Sequence, residues 1–313
     1  MENESGKVVG KDFGLCFNPE FLREGKAVED ILNPDRIVIG AVDQRSGMEL
    51  IEFYRDFYGD RMPPIILTNP INAGLIKYAN NAFLAMKVSF ANMFARLCEM
   101  LPGADVNVIM KGIGLDKRIG KAFLKAGLGW GGSCLPKDTC AILVFAKNLG
   151  LDLKLVRATT EVNEEQVDHA LSLAEKMPQG LEGKTVSVLG LAFKPGTDDI
   201  RESRAIKLVE KLIEKGARVK VHDPKALDNA RKVLGDKVRY STSIEECLDD
   251  SDLCILATEW PEYKKIKPRD LRKFMRSPAM LDCRRLYNPE DFREAKIMAI
   301  GLGQHSSLQE TDT

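Results

Sequence analysis

Between Gly127 and Asp138 the chain reads Gly-Leu-Gly-Trp-Gly-Gly-Ser-Cys-Leu-Pro-Lys-Asp. Four glycines, a thiol, an ammonium and a carboxylate fall within these twelve residues. Glycine carries no Cβ, so a loop of this kind can come close to a ligand. Cys134 stands at the end of the loop. Asp138 follows four residues later, one turn on if a helix begins there. A thiol beside a close-approach loop and a carboxylate fits covalent catalysis. The other cysteines, Cys16, Cys98, Cys140, Cys247, Cys254 and Cys283, have apolar or helical neighbours, where cysteine acts as a small core residue. Gly127, Gly129 and Gly132 also fit G-x-G-x-x-G. That fingerprint signals dinucleotide binding only after a strand. Lys121 to Ala126 does not read as one, so the fingerprint is rejected at this loop.

Other residues have spacing suited to chemistry. Lys77 and Asn81 are four apart in a helical pattern and share a face. Gly190 to Ser203 forms the first strand-to-helix turn of a later α/β segment, the crevice where doubly wound sheets bind nucleotides. It lacks the glycine triplet of ordinary NAD sites but offers Lys194 and Arg201 for phosphate charge. His169, His222 and His305 are scattered and suggest no metal site.

The elements that must hold these residues follow from periodicity. Phe13–Phe17, Arg36–Gly40 and Pro64–Thr68 read as strands, with an amphipathic helix near Ser46 to Tyr58. Residues 1–68 are therefore α/β, but small for an independent domain. Asn69 and Pro70 signal a helix start. Leu75, Ala79, Ala82, Phe83, Met86, Phe90, Met93, Phe94 and Leu97 recur at helical spacing, and residues 69–178 are expected to be nearly all α. A helix this apolar suits packing against partner helices, so dimerisation is expected. After a linker at Pro178–Gly183, strands near Thr185, Arg218, Leu253, Ala279 and Ile297 alternate with helices. This predicts a Rossmann-like parallel sheet over residues 179–313.

At 313 residues, 44% apolar and 29% charged, the chain suits two globular domains. Lysine plus arginine equals aspartate plus glutamate at 46 each, which gives nucleic acid or an anionic membrane no support as a partner. Seven cysteines without paired spacing argue for reduced thiols and a cytoplasmic location. No apolar run has membrane-spanning length.

The Cys134 loop resembles the catalytic-cysteine signature of the UDP-glucose/GDP-mannose dehydrogenase family, the nucleotide-sugar 6-dehydrogenases. The likeness runs over nearly the whole chain. The resemblance implies further sites. Asn18-Pro19-Glu20-Phe21-Leu22-Arg23-Glu24-Gly25 is similar to the family segment over the sugar nucleotide. Glu20 stands at its acid/base position, and Glu24 at a ligand contact that also rims the cofactor site. Lys77 and Asn81 match a pair beside the reacting carbon. Arg118 matches an arginine that reaches the neighbouring subunit's substrate. Lys125, Leu128, Gly129, Trp130 and Gly131 match the sugar-nucleotide loop. Phe193, Lys194 and Arg284 match substrate contacts in a domain that holds uridine diphosphate, although Cys283 stands where many relatives have glycine. Arg201, with Cys134 and Lys137, falls on the rim of the cofactor site.

The implied reaction is a four-electron oxidation of a primary alcohol to a carboxylate with two NAD+. The Cys134 thiolate would form a thiohemiacetal and then a thioester. Lys77 and Asn81 would steady the oxyanions. Glu20 would position or deprotonate water, and Asp138 would orient Lys77 or a water. UDP-glucose is the implied substrate, with GDP-mannose allowed. The family opens on an NAD-binding unit with a G-x-G-x-x-G turn, and no such unit is found upstream of residue 13. Three readings stay open: a dehydrogenase shortened or completed by a separate NAD-domain polypeptide, a non-catalytic sugar-nucleotide-binding dimer, or a dimerisation partner of a full-length relative.

Overall fold

A computed structural model describes residues 1–177, 180–292 and 294–303. His305 and the Pro178–Gln179 part of the linker lie outside the described residues. The chain divides into two compact units, Met1–Asn81 and Ala82 onward.

In the first unit, short helices α1 (Glu2–Ser5) and α2 (Ala27–Leu32) accompany strands β1 (Cys16–Phe17), β2 (Ile37–Ala41) and β3 (Ile65–Thr68). β2 pairs antiparallel with β1 and parallel with β3. The connection from β2 to β3 carries α3 (Gln44–Tyr58), which Asp43 caps by accepting from Ser46 N. Ile37, Ile39 and Tyr58 form a small core.

α4 (Pro70–Glu99) begins where the sequence places it: Asn69 Oδ1 accepts from Asn72 N at 2.8 Å, and Pro70 opens the first turn. In the second unit, α4 is followed by α5 (Val106–Gly114), α6 (Leu135–Asn148) and α7 (Lys154–Lys176). Strands β4 (Thr185–Leu189), β5 (Arg218–His222), β6 (Arg239–Tyr240), β7 (Leu253–Leu256), β8 (Ala279–Asp282) and β9 (Lys296–Ala299) then alternate with α8 (Arg204–Glu214), α9 (Leu227–Leu234), α10 (Ile244–Leu248) and α11 (Pro268–Phe274). The sheet order is β6-β5-β4-β7-β8-β9, all parallel. This is the doubly wound order, which reverses between β4 and β7. β7 and β8 are buried along their whole length, as a sheet covered on both faces requires. One apolar core runs from Ala91 and Ala95 on α4 through α7 and α8 into the sheet.

The sequence pattern missed β6, a two-residue edge strand, and gave no bounds to the helices α9 to α11. These pieces are too short for a period to show.

Candidate active site

The Gly127–Ser133 loop is held by polar groups that interrupt two apolar helix faces. On α4, Asn92 Oδ1 accepts from Gly127 N at 2.8 Å, and Ser89 Oγ accepts from Trp130 Nε1 at 3.0 Å. On α7, Gln166 Nε2 donates to Gly127 O at 2.9 Å. Asn163 accepts from Trp130 N at 2.8 Å and donates to Trp130 O at 3.0 Å. Arg204 Nε donates to the same carbonyl at 3.0 Å. All five side chains are buried or nearly so.

The glycines also meet a demand of the fold that the sequence does not show. The surface they approach is the protein's own. A Cβ on Gly131 would stand 2.2 Å from Glu202 O, and one on Gly132 2.7 Å from the Phe193 ring. At Gly129, which has a φ of 108°, it would stand 2.5 Å from Asn163 Oδ1. The loop thus packs tightly between α7 and the β4–α8 connection. Leu128, which the family likeness places at the substrate, is fully buried in the core and offers no surface to a ligand.

Cys134 is the N-cap of α6, and its side chain is exposed. Its Sγ lies 3.6 Å from Ser133 Oγ. The helix does begin there, since Asp138 N donates to Cys134 O at 2.9 Å. The positive end of α6 therefore faces charge that develops at this position. Asp138 is 3% exposed, and its carboxylate lies 3.3 Å from Lys137 Nζ.

Two hollows flank the loop. A cleft of about 350 Å³ is lined by Lys125, Gly129, Trp130, Gly131, Phe193, Lys194 and Arg284 from the sequence-derived set. Val88, Phe123, Ala126, Leu135 and Glu259 complete it. Glu259 was not singled out by the sequence. It lies 3.4 Å from Lys125 Nζ and 3.3 Å from Arg284 Nε. Burial pushes its carboxyl up, but Arg284 and Lys125 more than offset this and hold it below the usual range. A larger hollow of about 620 Å³ is lined by Ser133, Lys137, Arg201, Arg204, Glu164 and Glu202, among others. Cys134 stands between Ser133, which lines the hollow, and Leu135, which lines the cleft.

Cys140 also lines the hollow and is exposed, contrary to the core role its neighbours suggest. It lies on the outward side of α6, where sequence period alone is ambiguous. Cys16 is only partly buried, while Cys98, Cys247, Cys254 and Cys283 are core residues. Arg118 lines neither hollow and pairs with Asp116 at 2.6 Å. Arg201 pairs with Asp199 at 2.7 Å.

The first unit brings together its own set. Lys77 Nζ lies 2.8 Å from Glu20 Oε1 and donates to Glu20 O at 2.5 Å. Glu20 Oε2 accepts from Leu22 N at 2.6 Å. The Phe21 ring lies under the Arg36 guanidinium at 3.8 Å, with Lys77 Nζ at 5.4 Å. Arg36 donates to Asn80 Oδ1, and Asn80 Nδ2 donates to Asn81 Oδ1 at 3.1 Å. Asn80 thus ties Asn81 to Arg36. Arg23 pairs with Asp30 at 2.5 Å and holds that carboxyl down to about 2. Glu24 is partly buried beside them.

Residues 1–58, 71–165 and 187–289 match, in turn, the NAD binding, central and UDP binding domains of the UDP-glucose/GDP-mannose dehydrogenase family. With this order of segments on a doubly wound fold, the chain belongs to that family. It is 41% identical over 292 residues to the UDP-glucose 6-dehydrogenase TuaD of Bacillus subtilis, covering 93% of this chain and 62% of TuaD. It is 46% identical over 288 residues to the UDP-glucose 6-dehydrogenase AglM of Haloferax volcanii, covering 91% and 66%. A UDP-glucose dehydrogenase structure from the hyperthermophilic archaeon Pyrobaculum islandicum superposes with a TM-score of 0.85 at 44% identity, over 94% of this chain and 65% of that one. The chain spans a little under two thirds of the length of these relatives. No described helix is long and apolar enough to cross a membrane.

Proposed function

We propose that the chain acts in the NAD-dependent oxidation of UDP-glucose to UDP-glucuronate. The observation that carries this reading is the exposed Cys134 thiol at a helix N-terminus, beside a cleft with three cations. Lys125, Lys194 and Arg284 suit the two phosphates of a nucleoside diphosphate. Phe123 and Phe193 offer apolar walls to its rings. Lys137 and Arg201 fit a second diphosphate in the larger hollow, and with Glu24 they are the residues that would hold NAD. Two NAD+ in turn would each accept one of the two hydrides of the four-electron change, the first hydride leaving the alcohol carbon as an aldehyde.

Cys134 Sγ forms a bond to the aldehyde carbon, and Lys77 with Asn81 steadies the oxygen as it takes up negative charge. Oxidation of that adduct leaves a thioester on Cys134. Glu20 accepts a proton from the attacking water, the C–S bond breaks and the thiolate departs with the electron pair. Asp138 orients Lys77 or the water. Phe21, Leu22, Arg23 and the Gly129–Gly131 backbone complete the substrate site, and Arg118 serves the substrate of a second copy. A homodimer through α4 and a cytoplasmic location belong to the same reading. The outward residues Phe83, Phe90, Met93 and Leu97 and the free thiols support them.

NADH formation with UDP-glucose, measured beside UDP calorimetry, tests this. Cys134→Ala is expected to abolish turnover while UDP affinity stays within about twofold, because only the thiol is removed. Retained turnover, or failure of the unaltered protein to bind UDP-glucose, would refute the reading.

A further inference from the structure

The turn after β4 is where a doubly wound sheet presents backbone amides to the phosphates of a dinucleotide. In this chain the protein itself uses those amides. Leu191 N and Ala192 N donate to Asp223 Oδ2 at 2.7 and 3.0 Å. Trp260 Nε1 donates to the same oxygen at 3.1 Å. Lys225 N and Ala226 N donate to Oδ1, both at 2.8 Å. Asp223 directly follows β5 and is 2% exposed, so five N–H groups enclose one buried carboxylate. The other backbone groups of the turn are also engaged. Ser203 Oγ donates to Leu191 O at 2.6 Å, Thr258 Oγ1 donates to Ala192 O at 2.7 Å, and Phe193 N donates to Asp199 O at 3.1 Å.

In a dinucleotide-binding unit an acidic residue past the glycine turn takes a ribose hydroxyl. Here the acid at the end of the neighbouring strand is turned onto the backbone instead. Its two oxygens sit among amides as phosphate oxygens would. We propose that Asp223 is a built-in substitute for a ligand phosphate. It closes this turn to dinucleotides. By pinning Leu191 and Ala192 it also fixes where the next two residues, Phe193 and Lys194, enter the cleft. Asp223 is thus a positioning and specificity residue. Its effect on the cleft rests on the nucleotide reading above, whereas the closure of the turn does not.

The test is thermal unfolding of Asp223→Gly and of the unaltered protein, with and without inorganic pyrophosphate. Asp223→Gly leaves the amides facing an emptied space. Pyrophosphate is expected to raise its midpoint by about 3 °C more than that of the unaltered protein, by mass action on a newly opened site. Equal shifts in the two proteins would overturn the proposal. If Asp223→Gly does not fold, hydrogen exchange on the unaltered protein decides. The Leu191 and Ala192 amides are expected among the slowest of the chain and unchanged by saturating ADP-ribose. Slowing there on addition of ADP-ribose would show an open site and overturn the closure. A failure of UDP to bind the unaltered protein would count against the cleft reading alone.

Discussion

Cys134 differs from the chain's other thiols in its setting. Burial pushes Cys247 up to about 12 and raises Cys254 and Cys283 as well. A thiol reagent at pH 8 followed by mass spectrometry is therefore expected to label Cys134 and Cys140 and to spare those three, and labelling of Cys254 in the native protein would contradict the packing. The thiol and the charged turn residues stood out because chemistry-bearing types lay at telling spacings, whereas Lys77 was singled out by the family likeness. Glu259 did not stand out, because its meaning comes from Lys125 and Arg284, which are distant in sequence. Its carboxyl lies below the ordinary range when folded, so its contribution to stability is present at neutral pH and lost as pH falls through that range. Between pH 6 and 3 the urea midpoint of the unaltered protein is expected to fall more than that of Glu259→Gln. Parallel curves would remove Glu259 from the charge balance of the cleft.

The Gly127–Ser133 loop depends on the elements around it. Asn163 on α7 satisfies both backbone groups of Trp130, and Asn163→Ala would leave a buried N–H without its partner. The expected loss is about 2–4 kcal/mol of unfolding free energy in denaturant titration. Gly131→Ala is expected to cost about 2 kcal/mol or more, because its Cβ would meet a backbone oxygen that cannot swing away. A loss under about 0.5 kcal/mol in either variant would mean that the loop is not held as described. The long helices and the buried strands were readable from their periods. The function of the loop glycines was not, since Glu202 and Phe193 lie some way along the chain and only the fold brings them beside the loop. Asn92, Asn163 and Gln166 did leave a signal, as amides interrupting apolar helical faces.

At the scale of the molecule, the family's sequence of segments was legible because its motifs sit in separate elements. One core joins the helical segment to the C-terminal sheet, so these form a single compact unit. The outward stripe of Phe83, Phe90, Met93 and Leu97 on α4 leads to a prediction about assembly. In sedimentation at micromolar concentration the unaltered protein is expected to run as a dimer and Phe90→Glu as a monomer; a monomeric unaltered protein would refute the dimer, and a dimeric Phe90→Glu would place the interface elsewhere. The central claim is that Cys134 faces a bound nucleotide sugar, and alkylation kinetics test it most directly. Iodoacetamide modification of Cys134 and Cys140 is followed by mass spectrometry, with and without saturating UDP-glucose. Saturating ligand is expected to slow Cys134 at least about tenfold and to leave Cys140 within about twofold, because occupancy shields only the thiol at the cleft. No slowing at Cys134, or equal slowing of both thiols, would contradict the account.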